Sequence, residues 1–269
     1  MSRRVFFIGA VSVFILFLIS FGSYWYFSQQ KDTNYAEILK RLRVPGILTV
    51  GGDIPYGIME FLNDRGEPDG FDVDFAKNIA DRLGVTLQYK DYDWDSLFPA
   101  LENGEFDLII SSVSITPERS EKFLFSTPYF SGGQAVIVRG NSQDINSFDN
   151  INGKKIGVQT DTTGYIEAKK YTDEKNIFTY KEMSDSYVKD GIVSDLDQGV
   201  IDVIITDYIS AISIVKKNPT LKLLGDPFTE EYYGVVAKKE NSELIMAINE
   251  IIREMKSGGY LNELEKKWK

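Results

Sequence analysis

Residues 104–119 read GEFDLIISSVSITPER, and this stretch decides which fold the chain adopts. A glycine turn precedes a short apolar run and a polar end, and Thr116 with Pro117 then predicts the start of a helix. This order is typical of a buried strand in an α/β sheet. Residues 199–207, GVIDVIITD, repeat the turn, the apolar run and the polar end. The repeat favours two lobes, although any two buried strands resemble each other in this way.

Strands and helices alternate on both sides of these stretches. The pattern predicts strands over residues 47–52 and 85–89 with a helix over residues 72–83 between them. The alternation starts again with a predicted strand over residues 155–158. The sequence therefore predicts an α/β fold of two lobes with largely parallel sheets.

Two glycine-containing segments, residues 130–138 and 226–236, lie between the alternating blocks. We expect them to cross between the lobes and to act as hinges. Lobe 1 is then expected to comprise residues 46–132 together with 230–269, and lobe 2 residues 133–229.

Residues 1–31 are predicted to be a targeting segment, followed by a polar linker over residues 32–45. Two arginines precede an apolar run over residues 5–27, which as a helix spans a bilayer core of about 30 Å. The positive-inside rule then places the remaining chain outside the cytoplasm. A cleaved signal peptide is the alternative. We favour an uncleaved membrane anchor because the run is long and ends in aromatic residues.

Composition restricts the possible functions. The formal net charge of −10 disfavours a nucleic-acid partner, because phosphate binding needs a basic surface. The chain has no cysteine and therefore no disulfide or thiolate metal site. It has no histidine, the usual general base and the commonest metal ligand. We therefore expect no metal, no cofactor and no enzymatic activity, although carboxylate chemistry stays possible.

Charged and polar residues follow the predicted strands, at the strand ends where they can contact a ligand. Arg119 and the helix start beside it are suited to a carboxylate or a phosphate, unless Arg119 is an ordinary surface residue. The turn over residues 160–164, TDTTG, offers hydroxyl and N–H groups at the matching place in lobe 2. Asp207 either caps the next helix or binds a ligand ammonium together with the Ser112 carbonyl.

Tyr56 and Trp94 lie in predicted loops at the strand ends. Aromatic rings at such places are suited to enclosing the carbon chain of a ligand. The alternative is that both rings belong to the core.

Taken in order, the motifs resemble those of the family 3 extracellular solute-binding proteins, which are the amino-acid receptors of ABC importers. The resemblance runs from about Tyr35 to Lys269. It rests on GFDVD (70–74), PALENGEFD (99–107), SITPER (114–119), FSTPYF (125–130), GVQT (157–160) and KW (267–268).

This resemblance implies a two-lobed periplasmic-binding-protein-like fold of type II that delivers a free α-amino acid to an ABC-transporter permease. It implies that Arg119, Ser114 and Thr163 hold the α-carboxylate. It also implies that Asp207 and the Ser112 carbonyl hold the α-ammonium.

Further residues of the site also follow from the resemblance. It implies that Tyr56 and Trp94 enclose the ligand side chain and that Asp53 lies near its far end. Asp72 is implied to cap its helix. Asp161 stands where the family usually has glycine, and aspartate tolerates the left-handed backbone that such a turn needs. Asp53 and Asp161 together favour a polar or cationic ligand side chain.

Two other functions remain as alternatives, because one fold hosts several activities. One is a secreted dehydratase-like enzyme, for which the sequence offers no separate acid/base pair. The other is an orphan amino-acid sensor that signals through a partner protein.

Overall fold

The computed structural model of the chain describes residues 37–183 and 191–268. The predicted targeting segment, residues 1–31, lies outside the described residues, as does the start of the linker that follows it. Among the helices of the described residues, none is both long enough and apolar enough to span a membrane.

Fourteen strands and eight helices order the described residues. The strands are β1 Ile47–Gly52, β2 Phe61–Leu62, β3 Pro68–Asp69, β4 Thr86–Asp91, β5 Leu108–Ile109, β6 Leu124–Phe125, β7 Phe130–Gly132, β8 Gln134–Arg139, β9 Ile156–Gln159, β10 Ile177–Tyr180, β11 Val203–Asp207, β12 Leu221–Leu223, β13 Glu231–Tyr233 and β14 Val236–Ala237. The helices are α1 Phe71–Leu83, α2 Trp94–Glu102, α3 Pro117–Lys122, α4 Thr163–Ala168, α5 Ile192–Gln198, α6 Tyr208–Lys217, α7 Ser242–Ser257 and α8 Tyr260–Trp268. Short 3-10 helices cover Phe148–Ile151 and Glu174–Asn176.

Lobe 1 is built on a five-stranded sheet in the order β4-β1-β5-β14-β6. Strand β1 runs parallel to β4 and β5, whereas β14 runs antiparallel to β5 and β6. Helix α1 repeats apolar residues at helical spacing and buries Phe71, Phe75, Ile79 and Leu83 in the core against this sheet. The long helix α7 buries its apolar face in the same core.

Lobe 2 is built on a second five-stranded sheet, in the order β10-β9-β11-β8-β12. Strands β9, β10 and β11 are parallel, and β8 pairs antiparallel with β11 and β12. Both sheets are therefore mixed, because in each of them the chain returns along strands that run against the parallel set. The two-lobed α/β architecture agrees with the sequence, whereas the prediction of largely parallel sheets overlooked these antiparallel strands.

The repeated stretches that indicated two lobes lie at equivalent places. Strand β5 is the middle strand of the lobe 1 sheet, and β11 is the middle strand of the lobe 2 sheet. Gly104 and Gly199 precede these strands with φ angles of 73° and 77°, a left-handed conformation that favours glycine. The polar residues after both strands consequently face the same cleft.

Two paired strands cross between the sheets. Strand β7 leads from lobe 1 into β8, and β13 leads back from lobe 2 to β14, with Glu231 opposite Gly132. A Cβ atom on Gly132 would lie 2.4 Å from the Tyr233 hydroxyl, so the close approach of the two strands requires glycine there. This strand pair forms the floor of the cleft between the lobes.

Candidate functional site

The cleft between the lobes encloses a cavity of about 420 Å³, a volume that includes its opening to solvent. Eight of the nine residues predicted from the sequence line it, and Asp161 is the exception. The residues that line the cavity are Asp53, Tyr56, Trp94, Ser111, Ser112, Ser114, Arg119, Gln134, Gln159, Thr162, Thr163, Met183, Ile205, Thr206 and Asp207.

Arg119 lies at the start of the short helix α3, as the sequence predicted. The Thr116 hydroxyl accepts a hydrogen bond from the Arg119 backbone N–H at 3.1 Å, and Pro117 occupies the first helical position. The guanidinium donates to the Ser114 carbonyl at 3.0 Å and lies 5.3 Å from the centre of the Trp94 ring. Burial lowers the pKa of Arg119, although nearby carboxylates oppose this effect. Its remaining N–H groups are available to an anion in the cleft.

The turn before helix α4 approaches Arg119 from lobe 2. The Thr162 side chain caps the helix, and Thr163 is its first residue. Asp161 has a φ angle of 56°, a left-handed conformation that aspartate tolerates better than most residues. Its carbonyl accepts hydrogen bonds from Arg119 at 3.3 Å and from the Trp94 indole at 3.2 Å. Asp161 therefore joins the lobes through its backbone, while its side chain lies outside the cavity lining.

Asp207 ends strand β11 on the lobe 2 side of the cavity. It occupies the N-cap position of α6 but makes no side-chain cap, which argues against a capping function. Its carboxylate accepts hydrogen bonds from the Tyr56 hydroxyl at 2.7 Å and from the Gln134 amide. Burial and the nearby Glu231 raise the pKa of Asp207 to about 7, although the hydrogen bonds lower it in part.

For Tyr56 and Trp94 the sequence left two alternatives open, a wall of the cavity or a part of the core, and the structure shows features of both. Tyr56 lines the cavity and also bonds to Asp207 across the cleft. Trp94 is the first residue of helix α2 rather than a loop residue, and it is 8% exposed. It packs edge-on against Phe98 in the lobe 1 core and still lines the cavity.

Asp53 and Gln159 form a polar pair at the carboxyl ends of β1 and β9. The Gln159 amide donates to Asp53 at 3.0 Å across the cleft and to the Lys181 carbonyl at 3.0 Å. Burial raises the pKa of Asp53 to about 7, and the hydrogen bond from Gln159 lowers it in part. Sequence reasoning missed Gln159, although its place at the end of a predicted strand was a usable signal.

Glu231 was also missed, and no sequence signal marks it. It lies on the crossing strand β13, next to another glutamate and two tyrosines. Its carboxylate accepts hydrogen bonds from the hydroxyls of Ser114 in lobe 1 and Thr163 in lobe 2, the latter at 3.0 Å. Glu231 therefore connects both lobes to the floor of the cleft.

Asp72 does not cap its helix, so that expectation was wrong. Gly70 occupies the N-cap position of α1, and no side chain caps the helix. The Asp72 carboxylate instead accepts hydrogen bonds from the Ser112 backbone at 2.6 Å, from the Ser112 hydroxyl at 2.9 Å and from the Tyr129 hydroxyl at 2.8 Å. The cause is burial, because a buried carboxylate needs hydrogen-bond donors, and Ser112 at the cleft and Tyr129 in the core supply them.

Comparison with known families gives one clear match. The model of the bacterial extracellular solute-binding proteins, family 3, matches residues 48–269. The L-cystine-binding protein TcyJ of Escherichia coli strain K12 is 35% identical over 233 residues, which cover 86% of this chain and 85% of TcyJ.

Solved structures with the same fold include binding proteins and a relative of an enzyme. Holo ArgBP from T. maritima has a TM-score of 0.74 and 36% identity, covering 87% of this chain and 99% of ArgBP. The ancestral amino acid-binding protein AncCDT-1, a precursor of cyclohexadienyl dehydratase, has a TM-score of 0.75 and 32% identity. The match covers 87% of this chain and 98% of the AncCDT-1 chain.

Proposed function

Because the chain belongs to the bacterial extracellular solute-binding proteins of family 3, we propose that it captures a free α-amino acid with a polar or cationic side chain. One observation carries this proposal: Arg119 from lobe 1 and Asp207 from lobe 2 line the same cavity. A zwitterion needs a cation and an anion at its two ends, and here each lobe supplies one of them.

The ligand carboxylate is assigned to the Arg119 end of the cavity. A guanidinium binds a carboxylate through charge-assisted, commonly paired hydrogen bonds. Ser114 and Thr163 line the cavity from opposite lobes. Their hydroxyls donate to Glu231, so their backbone N–H groups are assigned to the ligand carboxylate. The binding of one carboxylate by both lobes favours the closed state.

The ligand ammonium is assigned to Asp207 and the Ser112 carbonyl. Within the part of the chain that the structure describes, the buried Asp207 carboxylate accepts hydrogen bonds from the uncharged Tyr56 and Gln134 and forms no salt bridge. A ligand ammonium supplies a cation and stabilises the ionised carboxylate.

The side chain of the ligand is assigned to the space between Tyr56, Trp94 and the pair formed by Asp53 and Gln159. Among the lining residues that the structure describes, two carboxylates face one guanidinium. A zwitterion leaves that excess negative charge in place, whereas a cationic side chain neutralises it. TcyJ is named for L-cystine, and truncated ArgBP from T. maritima has been solved in an arginine-bound form, which supports a polar or cationic ligand class.

The proposal extends to partners and location. The bound amino acid is delivered to an ABC-transporter permease, and residues 1–31 export the chain and anchor it outside the cytoplasm. The lobes comprise residues 46–132 with 230–269, and residues 133–229. The chain does no chemistry on its ligand. The likeness to AncCDT-1 favours a dehydratase-like enzyme as the second candidate.

The test is a screen of the full chain in mild detergent against the common amino acids. The melting temperature is measured with each amino acid from the change in intrinsic fluorescence. A ligand that binds only the folded state raises the melting temperature. We expect a rise with arginine, lysine or glutamine. Matched analogues that lack either the carboxylate or the ammonium should give no rise. Equal stabilisation by such an analogue, or turnover of any amino acid, would contradict the proposal.

A further inference from the structure

Ser112 holds an unfavourable backbone conformation at the edge of the cavity. Its φ angle is 49°, and among the described non-glycine residues only Ser112 and Asp161 have a positive φ. The left-handed region places Cβ close to the carbonyl oxygen, so most residues avoid it. Ser112 is 4% exposed and lines the cavity. Something must hold this residue in its conformation.

The holding group is the Asp72 carboxylate on helix α1. Its Oδ2 atom accepts both the backbone N–H and the hydroxyl of Ser112, at 2.6 Å and 2.9 Å. Its Oδ1 atom accepts the Tyr129 hydroxyl at 2.8 Å. Asp72 has no exposed surface, and Tyr129 stacks on Phe75 of the same helix at 4.3 Å. The carboxylate is therefore rigidly placed.

The preceding serine serves as an internal comparison. Ser111 also donates its hydroxyl to a fully buried carboxyl group, Glu60, yet it lacks a positive φ. Its backbone N–H is not bound to Glu60. At Ser112 one carboxylate oxygen binds both groups. The Asp107 carboxylate holds the backbone N–H and hydroxyl of Thr49 in the same way, although Thr49 has no positive φ, so such a pair of bonds fixes a backbone in place whatever its conformation.

We propose that Asp72 is a positioning residue that holds Ser112 in the left-handed conformation and so directs the Ser112 carbonyl towards the ligand ammonium. This inference rests on the proposed capture of an amino acid. Asp72 lies behind Ser112 and does not line the cavity, so its effect on the ligand passes through the backbone of Ser112.

A matched pair of substitutions tests this inference without disturbing the core. Ser112→Ala removes the hydroxyl but keeps Cβ, whereas Ser112→Gly removes both and adopts the left-handed region freely. If the hydroxyl itself bound the ligand, both variants would lose the same affinity. If positioning matters, Ser112→Ala binds the amino acid about five- to thirtyfold more weakly than Ser112→Gly.

The carboxylate is tested by Asp72→Asn, alone and combined with Ser112→Gly. Asparagine keeps the shape but cannot accept all three hydrogen bonds, so we expect affinity to fall about tenfold or more. Adding Ser112→Gly should recover part of that loss, which a purely structural role of Asp72 does not predict. Titration calorimetry on the full chain measures each affinity, and circular dichroism confirms folding. Should Asp72→Asn fail to fold, the Ser112 pair decides.

The outcomes separate this inference from the proposed function. Binding by the unmodified chain with equal affinities for Ser112→Ala and Ser112→Gly contradicts the inference alone, as does the absence of recovery in the double variant. Failure of the unmodified chain to bind any amino acid contradicts the proposed function and the inference together.

Discussion

The two edges of the cleft hold their ligand-facing groups in different ways. On the lobe 1 edge, Asp72 binds Ser112 and the Ser114 carbonyl binds Arg119, so the partners come from the same lobe. On the lobe 2 edge, Asp207 accepts one hydrogen bond from Tyr56 of the opposite lobe. Ser112 and Arg119 are therefore held in part from within lobe 1, whereas the bond from Tyr56 to Asp207 forms only when the lobes meet.

This difference links affinity to the movement of the lobes. Three more hydrogen bonds join the edges: two to the Asp161 carbonyl, from Trp94 and Arg119, and one from Gln159 to Asp53. Separation of the lobes breaks these bonds and exposes the groups to water. A ligand that fills the cavity stabilises the arrangement in which they form.

The largest expected effect comes from removing either charged end of the site. Arg119→Ala and Asp207→Ala each remove a charge-assisted contact of about 1.5–3 kcal/mol, so the amino acid should bind about tenfold to over a hundredfold more weakly. Glu118→Ala, at an exposed neighbour of Arg119, is the control. Calorimetry measures the affinities, and unchanged binding by both charge variants would refute the assigned site.

The second expected effect is a dependence of affinity on pH. Asp207 and Asp53 both have pKa values raised to about 7 without a ligand, and only their ionised forms attract a cation. Affinity should therefore increase as the pH rises from 5 to 7, by up to about tenfold per pH unit for each group that the ligand ionises.

Calorimetry in buffers of different ionisation enthalpy should detect protons released on binding at pH 6. The Asp207→Asn variant should release fewer protons and show a flatter profile. An affinity that stays constant between pH 5 and 8 would show that neither carboxylate faces a cation on the ligand.

A smaller effect is expected at the floor of the cleft. Glu231→Gln keeps the shape of the side chain but removes the charge that accepts the Ser114 and Thr163 hydroxyls. We expect affinity to fall about three- to tenfold, because the hydrogen bonds that hold Ser114 and Thr163 weaken. Glu230→Gln is the matched control, since the Glu230 carboxylate bonds only Tyr232 among its described partners. Equal losses in both variants would remove Glu231 from the site.

The smallest effect compares two indole groups. Trp94→Phe removes a hydrogen bond that crosses the cleft, whereas Trp268→Phe removes one to Asp74 within lobe 1. One neutral hydrogen bond contributes about 0.5–1.5 kcal/mol, so Trp94→Phe should weaken binding about two- to tenfold. Trp268→Phe should lower the melting temperature without this loss of affinity. An equal loss of affinity in Trp268→Phe and Trp94→Phe would show that the hydrogen bond across the cleft makes no specific contribution to ligand binding.

Much of the site could be predicted from the sequence because its residues follow strands. Asp207 ends an apolar run, Arg119 lies at the helix start that follows another, and the carboxyl ends of such strands meet at one edge of a sheet. Gln159 occupies an equivalent place, but the hydroxyl-rich turn directly after it gives the stronger sequence signal. Glu231 could not be predicted, since its neighbours in the sequence resemble an ordinary surface segment.

The sequence by itself determined the α/β alternation, the repeated strand units, the helix start at Thr116 and the charged residues at the strand ends. These features depend on local periodicity and on backbone preferences, which neighbouring residues encode. Only the tertiary structure decided what Asp72 and Asp161 do. Asp72 is the second residue of a helix and Asp161 lies in a turn, yet their partners are 40 and more residues away. Hydrogen bonds between distant segments depend on how the lobes pack and close, and local sequence does not record that geometry.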